Sequence, residues 1–155
     1  MRTSGVLLHL SSLPGPFGIG MMGQEAAVFA RHLAEAEQTW WQVLPFNQPA
    51  EASPYQARSA FAGNIWLIDP RWLRDLGLLE DEELSQFYYR DDPYRVDYTF
   101  VQRNSARYLG LAYSRLPLEL RQEVVNFAAR EQRWLRDYAV FTCVKEDYEG
   151  LPWWE

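Results

Sequence analysis

The chain has 155 residues, 48% hydrophobic and 23% charged, a balance that excludes disordered, collagen-like and coiled-coil rods. Its net charge of −6 disfavours a phosphate-backbone ligand or an electrostatic membrane surface, so neither nucleic acid nor membrane is expected as a partner. Cys143 is the only cysteine, which excludes an intrachain disulfide, and no apolar run approaches the ~20 residues of a membrane-spanning helix.

The N-terminus has one basic residue and a short apolar stretch broken by His9, which is not a signal peptide; the expected location is cytoplasmic. Gly5 to Leu10 is a nearly continuous apolar run and reads as a buried strand. Two prolines and three glycines between Ser11 and Gly20 make a structured loop. A helix follows from Gln24, with Ala26, Phe29, Leu33 and Ala36 as its apolar stripe and Glu25 in the first turn, where the helix dipole favours an anion. Thr39 to Leu44, rich in β-branched and aromatic residues and ended by Pro45, reads as a second buried strand, so residues 5–44 form a βαβ unit with a right-handed crossover.

Residues 46–63 form a second loop rich in Pro, Ala, Ser and Asn. Ile65 to Ile68 reads as a short strand or extended segment. Asp69-Pro70 marks a helix start, Asp as cap and Pro in the first position, and Gly77 its stop. Glu80 to Glu83 opens a short helix and Asp91-Asp92-Pro93 is a turn. The pattern is helical from about Phe100, is broken at Pro117, and continues as one long helix from Leu118 toward Tyr148. Leu120, Val124, Phe127, Trp134, Tyr138, Phe141 and Tyr148 share its apolar face, and Gly150 and Pro152 end it. The organisation is therefore βαβ-like over 1–68 and helical over 69–155.

Few residue groups carry chemistry. Gly18-Ile19-Gly20-Met21-Met22-Gly23 matches the G-x-G-x-x-G of dinucleotide-binding folds, between a strand and a helix as that motif requires. The preceding loop is long for such a turn, and no acid follows the second strand to hold a ribose. The alternative is that these glycines serve tight turns and close backbone approach. Ser53-Pro54-Tyr55-Gln56 lies just past the second strand's carboxyl end, where parallel α/β folds bind ligands. A tyrosine there offers an apolar face and a hydroxyl to a sugar ring, or it packs inward; spacing leaves both open. His9 and His32 have no metal-ligand spacing, and Cys143, on a helical pattern, reads as a small core residue. Acids grouped at a helix start serve the dipole more readily than catalysis.

Ser4 to His9, Ser12 to Gly20 with Gly23, and Trp41-Gln42-Val43-Leu44-Pro45 resemble the N-terminus of amylomaltases, the 4-alpha-glucanotransferases or disproportionating enzymes. Ser53 to Gln56, Ser59 to Asn64, Leu67-Ile68-Asp69, Arg95 to Tyr98, Asp137 to Ala139 with Phe141, and Gly150 to Trp153 continue the likeness in register. The resemblance covers essentially the whole chain, while members of the family are about three times longer.

The resemblance implies an α/β fold: residues 1–68 as the first strands and helix of an incomplete (β/α)8 TIM barrel, and 69–155 as part of a mainly helical inserted subdomain. It implies retaining transfer of 1,4-alpha-glucan segments between maltodextrins, with no metal or organic cofactor. The family's catalytic carboxylates lie downstream of the position matching Glu155, so this chain is an N-terminal part with no catalytic residue of its own, inactive alone and completed by the remainder of the enzyme. Ser53 and Tyr55 match positions lining the donor-sugar cleft: Tyr55 as stacking platform, Ser53 as polar contact. The family's Gly-Tyr-Gly-Asp-like run before Ser-Pro-Tyr is replaced here by Asn47 to Ala52, which removes the tyrosine that in some members serves a second glucan site. Two other functions stay in view: a nucleotide-binding oxidoreductase domain built on Gly18, Gly20 and Gly23, and a self-contained carbohydrate-binding module built on the aromatics.

Overall fold

The computed structural model describes residues 2–50 and 53–148. Strand β1 (Gly5–Leu7) and strand β2 (Trp40–Gln42) pair in parallel, Gly5 opposite Trp40 and Leu7 opposite Gln42. Helix α1 (Gln24–Glu35) makes the crossover between them. Its stripe faces the strands: Phe29 meets Trp41 edge-on at 4.9 Å, and the Trp41 indole N–H donates to the Leu8 carbonyl at 2.8 Å. Trp41 thus half-buries its apolar body while its polar edge is satisfied by backbone.

The strands are shorter and more open than the apolar runs suggest. The ladder ends as Leu8 N–H donates to the Gln42 carbonyl, and Leu10–Ser12 already turns as a 3-10 helix. Leu7 is 58% exposed and Trp40 63% exposed. With two strands paired among the described residues, the outward faces have no neighbour to bury them.

The main core forms on the loop after β1. Leu10, Leu13, Phe17, Ile19 and Met21 cluster with Trp66 and Leu67, and with Leu79, Leu84, Phe87, Val101 and Tyr108 of the following helices. The core therefore draws on both sides of residue 68. Those helices are α2 (Pro70–Asp75), α3 (Asp81–Ser85) and α4 (Tyr98–Ser114). Their starts follow local chemistry. Asp69 caps α2 and Asp97 caps α4, and Glu80 with Glu83 forms a reciprocal capping box on α3. Gly77 takes a φ of +71° just past α2, the left-handed geometry that glycine adopts without strain. Backbone bonds stitch the loop to the helical part: Tyr89 N–H to Pro16, Asp97 N–H to Gly18 and Met22 N–H to Leu67.

Three expectations are corrected. Residues Ile65–Leu67 are a 3-10 turn, not a strand, because the Asn64 side chain accepts from Trp66 N–H and curls the chain. The long C-terminal helix is two helices, α5 (Leu118–Arg130) and α6 (Gln132–Asp147). The break is made by Glu131 rather than by Gly or Pro: its ψ of 11° leaves helical geometry, and its carboxylate accepts from the Trp134 indole at 2.9 Å. None of the described residues of α5 or α6 is fully buried, and Cys143 on α6 is exposed, so it is not a core residue. Gly150 and Pro152, expected to stop the helix, lie outside the described residues.

Candidate functional site

The two loops that leave the carboxyl ends of β1 and β2 meet on one side of the molecule. The second, residues 46–64, has little regular structure but a dense hydrogen-bond frame. Asn64 N–H donates to the Phe46 carbonyl at 2.7 Å, Gln48 N–H to Ala62 at 3.1 Å, Arg58 N–H to Gln48 at 2.9 Å and Ala50 N–H to Gln56 at 2.7 Å. Side chains complete it. The buried Gln48 carboxamide oxygen accepts from Ile65 N–H at 3.0 Å, and the Ser59 hydroxyl accepts from Phe61 and Ala62 N–H, each at 3.1 Å. Phe61 also stacks on Trp134 at 5.9 Å, resting the loop on α6.

Ser53-Pro54-Tyr55 rides at the tip of this frame. The half-buried Ser53 has its hydroxyl facing Tyr55 N–H at 3.4 Å, and its carbonyl accepts from Gln56 N–H at 3.2 Å. Tyr55 is 72% exposed. Its ring therefore does not pack inward, the alternative that spacing alone left open. Pro54 lines a small cavity together with His9 and Ser11 from the first loop and with Asn47 and Asn64, so the two loops enclose one site. A larger groove of about 140 Å³ runs beside it, lined by Ser11, Ser12, Tyr94 and Arg95.

His9 was legible in the sequence only as a histidine without metal spacing. The structure places it directly after β1, 8% exposed, with its ring 5.8 Å from Phe46. Burial pushes its pKa below the ordinary value of 6.5, because desolvation disfavours the charged imidazolium. The available signal was positional: it is the first polar residue at the carboxyl end of the first strand.

The acidic side chains with assigned partners hold the structure together. Asp69, 1% exposed, accepts from Arg71 N–H and from its guanidinium, which also pairs with Glu25 on α1. These bonds, first of all those to Asp69, hold the Arg71 proton more tightly than usual. Burial opposes ionisation of Glu25, but the Arg71 pair outweighs it and keeps its carboxyl below the usual range. Glu83 pairs with Arg115, and Asp75 and Asp81 pair with Arg74. Among the described residues no group of three or more His, Cys, Asp or Glu could hold a metal ion, and no helix is long and apolar enough to cross a membrane.

The glycine motif has a structural purpose. A Cβ on Gly20 would lie 2.0 Å from the Leu10 carbonyl oxygen, and one on Gly23 would lie 1.8 Å from the Asp69 carboxylate. Asp69 occupies the start of α1, where a dinucleotide fold would seat its pyrophosphate, and two anions do not share that position. The nucleotide-binding reading finds no support here.

A model of the 4-alpha-glucanotransferase family matches residues 8–155. The 4-alpha-glucanotransferase of Thermus thermophilus is 42% identical over 98% of this chain and 30% of its own length. The chloroplastic/amyloplastic 4-alpha-glucanotransferase of Solanum tuberosum is 34% identical over 99% of this chain and 28% of its own. An amylomaltase from Streptococcus agalactiae, solved in complex with acarbose, superposes with a TM-score of 0.88 at 34% identity, over 97% of this chain and 31% of that one. The chain thus spans about three-tenths of the length of the relatives it matches.

Proposed function

The chain belongs to the 4-alpha-glucanotransferase family, and from that premise we propose that it forms the part of such an enzyme that holds the sugar. The carrying observation is Tyr55, 72% exposed on a loop framed by backbone hydrogen bonds at the carboxyl ends of two parallel strands. A ring so held offers a flat apolar face with a hydroxyl at its edge, which suits a glucose unit. Ser53 supplies a polar contact from the same turn. The substrate is a maltodextrin or other 1,4-alpha-glucan, and the reaction moves a glucan segment from one maltodextrin to another with retention.

Retaining transfer needs a carboxylate that attacks the sugar carbon and a carboxylic acid that protonates the leaving oxygen. That second group then takes the proton of the acceptor hydroxyl. The acids of this chain with assigned partners are engaged in ion pairs and caps. On the family resemblance, both catalytic carboxylates lie downstream of the position matching Glu155. Residues 1–68 are then the first strands and helix of a (β/α)8 barrel, and 69–155 part of a helical insertion. The parallel register of β1 and β2 and the open faces of Leu7 and Trp40 support this assignment, since further strands would cover them. The single cysteine suits a reducing compartment, and the proposed location is the cytoplasm.

The test is a titration of the 155-residue chain with maltoheptaose, followed by tryptophan fluorescence. Tyr55→Ala is expected to weaken binding at least about 5-fold, the loss of ~1 kcal/mol of ring contact, while Tyr55→Phe stays near wild type. Equal binding by Tyr55→Ala rejects the platform. Maltotriose incubated with the chain is expected to keep its length distribution, and redistribution would place a catalytic pair within these residues.

A further inference from the structure

His9 is 92% buried by its 8% exposure, and its Nδ1 has no hydrogen-bond partner among the described residues. A buried nitrogen left unpaired costs as much as a lost hydrogen bond, so it calls for a partner. His9, Ser11, Asn47, Pro54, Asn64 and Tyr98 line a cavity of about 10 Å³ where the loops after β1 and β2 meet. That is roughly one water-sized probe, so the cavity admits one hydroxyl-sized group and excludes a sugar ring. Its lining sets the polar groups of His9, Ser11, Asn47 and Asn64 among the apolar Ile19, Pro45, Pro49 and Pro54. The Asn64 Oδ1 already accepts from Trp66 N–H, which leaves the carboxamide NH₂ as its remaining donor. A charged group entering such a site would lose its solvation without an opposite charge to replace it, whereas a hydroxyl both donates and accepts. Pro54, one wall of the cavity, stands between Ser53 and Tyr55.

We propose that this cavity is a single-hydroxyl subsite: one hydroxyl of a glucan stacked on Tyr55 enters it and pairs with the Nδ1 of His9. The proposal rests on the glucan-binding reading above. It makes His9 a positioning residue that sets the rotation of the sugar on its platform, without a part in bond breaking. A water molecule has the same size and hydrogen-bonding capacity, and the test separates the two.

His9 and His32 are the only histidines, and His32 is exposed on α1, so a chain labelled with ¹⁵N-histidine carries its own control. Maltoheptaose is expected to shift the imidazole nitrogens of His9 and leave those of His32 unmoved. His9→Phe is expected to weaken maltoheptaose about 3- to 10-fold, the worth of one neutral hydrogen bond, with partial recovery in His9→Gln. Among monodeoxy maltotrioses, one is expected to bind wild type more weakly than maltotriose does, yet bind His9→Phe equally well, because the lost partner is then already gone. If His9→Phe fails to fold, judged by far-ultraviolet circular dichroism, the wild-type shifts and His9→Gln decide. Glucan binding that depends on Tyr55 but leaves the His9 nitrogens unmoved and tolerates His9 substitution means the cavity holds water only. That result overturns the subsite and leaves the glucan reading intact. No saturable binding, or binding indifferent to Tyr55→Ala, overturns both.

Discussion

Asp69 joins three parts of the molecule, and its removal has a calculable cost. It caps α2 through Arg71 N–H at 2.9 Å, pairs with the Arg71 guanidinium, and presses its carboxylate against Gly23 at the start of α1. Asp69→Ala removes the cap, worth about 1 kcal/mol. It also removes one partner of a largely buried pair, a change that costs about 3–5 kcal/mol when the remaining charge is stranded. Arg71 is not stranded, since its side chain is 18% exposed and Glu25 still faces it. The expected total is therefore near the lower end, about 3 kcal/mol. Asp69→Asn keeps the volume and an equally good cap, and is expected to cost about 1 kcal/mol less. Gly23→Ala is damaging alone, because its methyl collides with the Asp69 carboxylate, and is expected to be much less so in the Asp69→Ala background. Urea unfolding followed by tryptophan fluorescence and circular dichroism, extrapolated with a common m-value, gives the cost of each of the four variants. A loss below about 1 kcal/mol for Asp69→Ala contradicts the reasoning, as does additivity of Gly23→Ala with Asp69→Ala.

Two further predictions concern the helical part and the first loop. The Arg115 guanidinium, helped by Glu80 N–H, holds the Glu83 carboxyl at about 2, below its ordinary 4.5. A depressed folded-state value stabilises above the unfolded value and is lost as pH falls through the interval from about 4.5 to about 2. The Glu83 carboxyl ¹³C resonance is accordingly expected to titrate near 2, and Glu83→Gln to flatten stability across that interval; titration near 4 would refute the pairing. Gly20→Ala places a methyl 2.0 Å from the Leu10 carbonyl and 2.7 Å from that of Leu13, both backbone, and is expected to unfold the loop. Gly110→Ala, within α4 and with nothing within 4 Å of the new methyl, is expected to stabilise by ~1 kcal/mol. Thermal melts of the two variants should move in opposite directions.

What was legible in the sequence shares one cause: a residue whose own chemistry decides its local geometry. Asp69-Pro70, Gly77 and the Glu80–Glu83 run mark their helix ends because cap and turn preferences act over three or four residues. The strand–helix–strand order over residues 5–42 was legible from apolar runs and a period of 3.6. The failures lie where distant partners decide. The break at Glu131 is the exception, a local contact of its carboxylate with the Trp134 indole three residues on, in a stretch with neither Gly nor Pro to mark it. Leu7 and Trp40 read as buried because their neighbours in sequence are apolar, but burial of a strand face is conferred by other elements. Cys143 misleads for the same reason, since α6 buries none of its described residues.

The candidate site divides the same way. Much of the polar content of the loop from 46 to 64 resembles chemistry and is spent on geometry: Gln48, Ser59 and Asn64 each place a side-chain oxygen on a backbone N–H. Without secondary structure, a loop needs such acceptors to fix its shape. The sugar-binding candidates are then the groups this frame leaves over. Tyr55 is one, held by its neighbours while its ring stays in solvent. His9 is another, buried yet short of a partner at Nδ1, a lack that Arg58 shares at Nε. One is an unburied apolar face and the other an unpaired polar atom, the two kinds of surplus that a polyhydroxylated ring with apolar faces can satisfy together. Sequence motifs identify the frame, but surplus is visible only after every hydrogen bond in the frame has been assigned.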